Sequence, residues 1–574
     1  MIRFKHLHAR CIALKTLKPH NLKPLFITLL SLSFAIHAGF AQKDEHNLSV
    51  KKNLEIFNKA YTQLERYYVD TIDSDKHVKQ ALQYLTQSLD PYTEFYTEEK
   101  SHELKEMSSG KYAGIGSPIN YDEASQRCVF KYPYPDMPAG KAGLRTGDLI
   151  LSIDSMDMKL GKDESSRDFL SRVTDNLRGE AGTTFTLRVK RPWVNDSILT
   201  LKLTRQIIER PSVVYTHLTT DSIGYIHLTS FIESTTSEMK RAFVALKQKG
   251  MKKLVLDLRG NGGGLMLQAV NVVGMFMPIG TKVLETKGKM EWANDVNTTS
   301  EPPLDTEIPI AVLVNSSSAS AAEITAGALQ DYDRAVIVGT RTYGKGLVQS
   351  TLDLPYNTAM KVTTSKYLIP SGRLIQAYKY NNGVAEYMPD SLAKTFYTRN
   401  GRPVKDGGGI TPDIKAEGDS IPDIVYSLSN TPITEDFCIR YRNTHDKIAA
   451  AKDFRLTDAE YEAFCNFLKE KNFQLNNRIH RAFKILKETA HINGEKDIEN
   501  SEEWKALYNK LTPNLEAELR KHAADIKEIL EVIIIENYYS EAGLEEYSIA
   551  KDEMVKKTFD VLRDMEGYEK TLGK

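Results

Sequence analysis

Ser320 and Lys345 are the residues of this chain whose types and settings can make and break a covalent bond. Ser320 lies in Asn315-Ser316-Ser317-Ser318-Ala319-Ser320-Ala321-Ala322-Glu323, directly after the apolar run Ile310-Ala311-Val312-Leu313-Val314. Lys345 lies in Arg341-Thr342-Tyr343-Gly344-Lys345-Gly346, directly after Ala335-Val336-Ile337-Val338. A serine hydroxyl is a weak nucleophile until a base takes its proton, and a neutral amine can be that base. Burial disfavours the ammonium form, and lysine is the side chain whose pKa falls readily when it is buried. A serine and a lysine delivered by two apolar strands therefore read as a nucleophile and its base. Histidine is the usual alternative. Between residues 208 and 418 there are only His217 and His227, both in strand-like segments without catalytic or metal-ligand spacing, and they read as packing residues.

The elements that must position the pair are legible around them. Ala321 to Gln330 reads as a helix, which puts Ser320 at a strand-to-helix junction. Free N–H groups and the positive helix end favour developing negative charge there. The N–H of Ala321 is the expected oxyanion donor. A Ser/Ala cluster on its own reads first as a helix cap; its partners change that balance. A second donor is expected from Asp257-Leu258-Arg259-Gly260-Asn261-Gly262-Gly263-Gly264, between the strand Lys253 to Leu256 and the apolar helical stretch Leu265 to Met275. Gly263 is the expected donor, with Gly262 as the alternative, because glycine lets a backbone approach a ligand closely. A dinucleotide loop is excluded by the missing third glycine at its required spacing. Gly339 to Lys345 imitates a phosphate-binding loop. However, Gly346 replaces the magnesium-binding Ser or Thr, and Leu347 to Leu352 alternates like a strand. Gln349, four positions beyond Lys345, is expected to accept a hydrogen bond from the amine and orient it toward Ser320.

Taken together, these segments resemble the carboxyl-terminal processing, or tail-specific, proteases, which are serine peptidases with a Ser-Lys dyad. That family has its nucleophile in an S-A-S-A-S-E-like segment and its lysine in F-G-K-G, 25 positions later, the separation of residues 320 and 345 here. The spacing selects Ser320 over Ser316, Ser317 and Ser318. Ala322 and Tyr343 are mild departures, where many members have serine and phenylalanine. Further matches are the glycine loop, Tyr367-Leu368-Ile369-Pro370-Ser371-Gly372-Arg373, Gly408-Gly409-Ile410-Thr411-Pro412-Asp413 and, upstream, Leu89-Asp90-Pro91-Tyr92-Thr93. The resemblance spans roughly residues 50 to 415. It implies an acyl-enzyme mechanism, with Lys345 later activating the hydrolytic water.

Residues 108–207 resemble a PDZ domain inserted before the protease core. Gly114-Ile115-Gly116 resembles its carboxylate-binding loop, and Pro138 to Asp154 resembles the helix, turn and strand that follow. The resemblance implies that loop N–H groups hold a terminal carboxylate while the peptide pairs as an added strand. The partners implied are protein or peptide substrates with free, apolar C-termini.

A length of 574 residues leaves room for three to five domains, and 41% hydrophobic content suits folded ones. Seventy-six basic and 76 acidic residues give no electrostatic case for nucleic acid. Arg3, Lys5, Arg10, Lys15, Lys18 and Lys23 precede an apolar stretch from Leu25 to Ala38, and Gly39-Phe40-Ala41 offers a cut before Gln42. This reads as a signal peptide, with an uncleaved membrane anchor as the alternative. The expected location is the periplasm or envelope of a bacterium. Removing the signal loses Cys11 and leaves Cys128, Cys438 and Cys465. No C-x-x-C pair occurs, and Cys438 and Cys465 are either a disulfide or two buried thiols.

The expected fold is multidomain α/β. It comprises a signal peptide or anchor (1–41), a helical N-terminal region (45–107), a β-rich PDZ domain (108–207), a mixed-sheet Ser-Lys protease core (208–418) and a helical C-terminal domain (419–574). The first helical region carries Leu54, Phe57, Ala60, Tyr61 and Leu64 on one stripe. In the last, Thr457-Asp458-Ala459-Glu460 fits a capping box ahead of Tyr461, Phe464, Cys465 and Leu468. Packing on the core, dimerising and placing the PDZ domain are all open roles for it, and homo-oligomerisation is left open with them. No metal, nucleotide or other cofactor is expected.

Overall fold

Strands that are apolar at every position, such as Ile310–Val314, need a sheet covered on both faces. The computed structural model describes residues 47–574 apart from 193, 419–420, 476–477 and 513. In it these strands lie in a six-stranded sheet. Its order is Val213–Leu218, Ile223–Leu228, Lys253–Asp257, Ile310–Val314, Ala335–Gly339, Ile414–Lys415. The first pair is an antiparallel hairpin and the other four pairings are parallel. Parallel neighbours need crossovers, and the helices Thr235–Gln248, Met266–Gly274 and Ala321–Asp331 supply them. Met239, Phe243, Val272, Ile324 and Leu329 from these helices, with Phe276 just past the second, pack with Leu256, Val312 and Ile337 in one buried cluster.

The opposite face belongs to the far end of the chain. Tyr225, Val255, Leu313 and Val338 pack with Val555, Phe559, Leu562 and Tyr568. Those four come from the helices Glu553–Arg563 and Met565–Thr571. Packing against the core is therefore one role of the C-terminal helices. The expected capping box is formed at Thr457, opening the helix Asp458–Glu470. Leu530, Ile534 and Ile535 are buried in the long helix Ala523–Ser548. Cys128, Cys438 and Cys465 are all free and buried, so the disulfide option is not taken up.

A second, antiparallel sheet stands beside the first. Ala359–Leu368 pairs with Leu347–Asp353, with Lys282–Gly288 and with Glu94–Tyr96. The expected helical region before residue 108 thus contains a strand: Glu94–Tyr96 leaves the helical pattern to complete this sheet. Further along, the strands Ile119–Asp122, Arg127–Phe130, Leu149–Ile153, Thr184–Arg191 and Ser197–Thr204 form another antiparallel sheet. The amphipathic helix Ser166–Leu177 buries Phe169, Val173 and Leu177 in the same cluster as Phe130, Ile150 and Leu187.

The chain divides into two compact units, one ending at Leu85 and one beginning at Thr86. The first contains a helix over residues 47–67 on which Leu54, Phe57 and Leu64 are exposed. The expected signal segment, residues 1–41 with Cys11, lies outside the described residues. Among the described residues no helix is long and apolar enough to cross a membrane.

Candidate active site

Lys253–Asp257, Ile310–Val314 and Ala335–Gly339 are adjacent parallel strands. The loops leaving their carboxyl ends must therefore converge, and that edge is where open α/β sheets bind ligands. The three loops are the glycine loop, the serine segment and the lysine segment.

Ser320 sits where the second loop becomes the helix Ala321–Asp331. Its backbone is at φ 54, ψ −113, a conformation that is costly for a residue with a Cβ. A sharp, strained turn between strand and helix lifts a serine hydroxyl clear of its own backbone. Ser318 is set differently. It is fully buried and its hydroxyl donates to the Leu258 carbonyl at 2.8 Å, so it holds two loops together.

Glu323 ties Ser320 to Lys345. One of its carboxylate oxygens, Oε2, accepts from the N–H of Ser320 at 2.9 Å and from the N–H of Lys345 at 2.8 Å. The two backbones are thus held within two hydrogen-bond lengths of each other. The other oxygen accepts from Thr342 Oγ1 at 2.6 Å and Gly344 N–H at 2.7 Å. On the carbonyl side, buried Tyr367 donates its hydroxyl to Lys345 O at 2.7 Å and lies 3.4 Å from Ser320 O. Burial pushes the Glu323 carboxyl up to about 7, against hydrogen bonds that all favour the carboxylate. The reading of the sequence assigned Glu323 no role. A signal was present, since Ser320-x-x-Glu323 is a capping-box pattern.

The Lys345 side chain is mostly buried. Burial and the nearby Lys361 ammonium push its pKa down to about 8, against the attraction of Asp90, Glu323 and Glu94. Its Nζ lies 4.4 Å from the centroid of the Tyr92 ring, where a cation–π contact of roughly 0.5–2 kcal/mol holds the protonated form. Tyr92 belongs to the Leu89–Thr93 segment, which turns on Asp90: that carboxylate accepts from the N–H groups of Tyr92 and Thr93 at 2.8 and 2.9 Å. The upstream segment singled out by resemblance is thereby brought against the lysine.

Two expectations change. Gln349 does not bond to Lys345. It faces Thr363 across the antiparallel ladder, and its Nε2 donates to Thr363 Oγ1 at 3.1 Å. The second concerns Gly263, whose N–H donates to Asn261 Oδ1 at 2.9 Å and so is not free for a ligand. Among the described residues neither the N–H of Gly262 nor that of Ala321 makes a hydrogen bond. Gly263 nevertheless lies against the serine. A Cβ added to it would stand 2.7 Å from Ser320 Cβ and 3.0 Å from Ala321 N, at φ +98. Buried Asn261 seats the loop, donating to the Leu228 carbonyl and accepting from the N–H of Ala319.

Arg259, in the same loop, pairs with Asp257 at 2.7 Å and with Asp552 of the C-terminal helices at 2.6 Å. His227, in the sheet, bonds Glu545 at 2.9 Å. His227 is thereby tied to the C-terminal helices.

In the β-rich unit, Gly114, Ile115 and Gly116 line a groove with Leu170 and Thr174 of the helix Ser166–Leu177. Among the described residues the N–H groups of Ile115 and Gly116 make no hydrogen bond. Gly116 is at φ +73, and a Cβ there would meet Met137 Cβ at 2.4 Å.

A strained serine at a helix start, a mostly buried lysine and a glycine backbone at one sheet edge fit a hydrolase of the serine class. Comparison with known proteins is specific. Residues 222–387 match Peptidase family S41, and residues 424–562 match a family described as probable PDZ-protease, C-terminal helical domain. The carboxy-terminal-processing protease of Bartonella bacilliformis is 37% identical over 331 residues, 57% of this chain and 73% of its own. Carboxy-terminal processing protease CtpA of Bacillus subtilis is 31% identical over 384 residues, 66% of this chain and 78% of its own. Among solved structures, the photosystem II D1 C-terminal processing protease is 29% identical, with 63% of this chain and 86% of that one covered at a TM-score of 0.35. The chain belongs to peptidase family S41, the serine endopeptidases that include the carboxy-terminal processing proteases.

Proposed function

We propose that this peptidase is exported, captures polypeptides by their C-terminal tails in the groove beside Gly114-Ile115-Gly116, and cleaves them near those tails with Ser320 and Lys345. The observation that carries the dyad is the shared Glu323 oxygen, which holds the Ser320 and Lys345 backbones side by side.

Neutral Lys345 takes the proton from Ser320 Oγ as that oxygen attacks the scissile carbonyl carbon. The carbonyl oxygen becomes an oxyanion facing the N–H groups of Ala321 and Gly262. Gly262 takes the place expected of Gly263, because the Gly263 N–H is held by Asn261. Collapse expels the amine of the downstream fragment, which leaves with the proton from Lys345. An ester on Ser320 remains. Water then gives a proton to Lys345 and attacks the ester, and Ser320 regains its proton as the carboxylic acid departs. For Gln349 to orient the amine, its amide must turn away from Thr363.

Tail capture is supported by the free N–H groups of Ile115 and Gly116, which suit a terminal carboxylate. We read residues 108–207 as the PDZ domain that provides them. Export is supported by the basic and then apolar N-terminal sequence. A mature N-terminus near Gln42 would separate cleavage from anchoring.

The deciding experiment incubates wild type and Ser320→Ala with an unstructured polypeptide bearing an apolar C-terminus and maps the fragments by mass. Wild type should cut near that end, and Ser320→Ala should lose on the order of 10⁶ in turnover with an unchanged fold. Normal cleavage by folded Ser320→Ala would remove Ser320 as nucleophile.

A further inference from the structure

The groove beside Gly114-Ile115-Gly116, about 400 Å³ in volume, is not built by the β-rich unit alone. Glu541 of the C-terminal helices lines it as well. The long helix Ala523–Ser548 breaks at Ser540, whose φ 57, ψ −161 interrupts an otherwise helical backbone. That region is essentially glycine territory and costs roughly 1–3 kcal/mol for a residue with a side chain. Glu541 is the next residue, so the strained turn is what brings its side chain to the groove.

The carboxylate is anchored at one oxygen. Tyr132, which also lines the groove, donates its hydroxyl to Glu541 Oε1 at 3.0 Å. Among the described residues Glu541 forms no ion pair, and its second oxygen makes no hydrogen bond. Two cations line the groove with it. Arg178 is paired with Glu106 at 2.8 Å and stacks on Tyr112, and Arg210 also lies over the Tyr112 ring. The charge of Glu541 is felt nearby: burial first and then this carboxylate push Tyr132 upward, and burial pushes Glu536 upward against Lys131 with Glu541 adding to the rise. Its placement is held by several contacts between the two domains. Lys131 pairs with Glu435, Arg145 with Asp446 at 3.5 Å, and Ile439 packs where a Cβ on Gly147 would fall.

A carboxylate offers about four lone-pair sites, and one hydrogen bond leaves most of that capacity toward the groove. Charge-assisted hydrogen bonds are about twice as strong as neutral ones, and a like charge in the same place repels. We propose that Glu541 is a specificity-determining residue of the tail groove. It selects tails that carry a lysine or arginine within the last few positions before a free C-terminus and disfavours tails with an acidic residue there. This rests on the tail-capture reading given above, and it makes the C-terminal helical domain part of the recognition surface.

The test uses the full chain carrying Ser320→Ala, so that binding is read without cleavage. Fluorescent peptides with one apolar, free C-terminus differ only in placing Lys, Gln or Glu at each of the four positions before the last. An amidated copy of each is included. With Glu541 present, the best Lys peptide should bind about tenfold tighter than its Glu counterpart, the scale of one charge-assisted contact. Glu541→Gln, which is isosteric, should bring that ratio close to one, and Glu541→Lys should invert it. Amidation should weaken binding in all three proteins. An unchanged Lys-to-Glu ratio across Glu541, Gln and Lys, with amidation still costly, would reduce Glu541 to a domain contact and leave tail capture standing. If amidation cost nothing in any protein, tail capture itself would fall and this proposal with it. Circular dichroism and melting temperature on each variant keep a folding defect from being read as lost selectivity.

Discussion

To act as the base proposed above, Lys345 must be kept dry. Its pKa is lowered to about 8 by burial and by the Lys361 ammonium, so the fraction of neutral amine rises with pH up to and past that value. The kcat/KM of the free enzyme on a tail peptide should therefore climb with pH, with an apparent pKa of about 8. Glu323 adds to this on the acid side. Near its value of about 7 protonation puts an O–H among donors that all need an acceptor, so activity should fall more steeply below that point. Lys345→Arg, whose guanidinium stays charged, should show no such limb and almost no turnover. The linkage to stability runs the same way. Lys345 has a folded pKa below its ordinary 10.5, so the unfolded chain binds more protons between those values and the ammonium is a cost to folding at neutral pH. Lys345→Met should thus melt higher than wild type at pH 7, the difference shrinking as pH approaches 10.5. Gly263 is the other residue whose chemistry is a matter of space. Gly263→Ala would drive a Cβ into Ser320 Cβ and toward the N–H of Ala321. Turnover should fall by 10² or more. Wild-type kcat in Gly263→Ala would mean that the loop does not approach the serine in the working enzyme.

At the scale of elements, the site is a junction of three strand ends held by buried polar groups. The helix Ala321–Asp331 is buried along its whole length, so Glu323 cannot point to water and must find its partners inside. It finds them on the lysine segment, which converts a helix cap into a link between Ser320 and Lys345. Glu323→Gln keeps the volume but turns an NH₂ toward N–H and O–H donors. It should lower kcat by about 10²-fold with KM little changed, since misplacement by an ångström costs that much. Glu323→Ala should also destabilise the fold by about 3–5 kcal/mol, because buried donors are left unpaired. A steady-state split of kcat and KM, with thermal denaturation alongside, checks both. If Glu323→Gln kept wild-type kcat, the carboxylate would be supporting the fold alone.

For the whole molecule, the C-terminal helices are part of the protease. They cover the second face of the six-stranded sheet, with Phe559 and Leu562 against Tyr225, Leu313 and Val338. They also reach the glycine loop through Asp552 and Arg259. Leu562 is fully buried, and Leu562→Ala should cost about 3 kcal/mol, read as a lowered denaturation midpoint at constant slope. A chain ending at residue 418 would leave the sheet's apolar face in water and should aggregate instead of yielding a smaller active enzyme. A soluble, active 1–418 product would show that the sheet needs no second cover.

The sequence by itself determined the elements and their order along the chain. Apolar strands, a helix after Ser320, glycines after Asp257 and a strand after Lys345 are local patterns, and the spacing shared with the family points to Ser320 among four serines. The family and the mixed α/β core followed from the same motifs, and the helical C-terminal region from local patterns of its own such as the capping box at Thr457. What only the tertiary structure decided are the partners across distance. Gln349 lies four residues from Lys345, yet the ladder turns it toward Thr363, because register in a sheet is set by the neighbouring strand. The Gly263 N–H is claimed by Asn261 two residues earlier, a turn that glycine counting cannot reveal. The residues Glu94–Tyr96 read as helical and became a sheet edge, since an available strand partner outweighs weak local propensity. Tyr92 over Lys345, Tyr367 across the dyad and Glu541 in the groove come from segments tens to hundreds of residues away from what they touch. No periodicity links such segments. They meet because burying both faces of one sheet forces distant parts of the chain together.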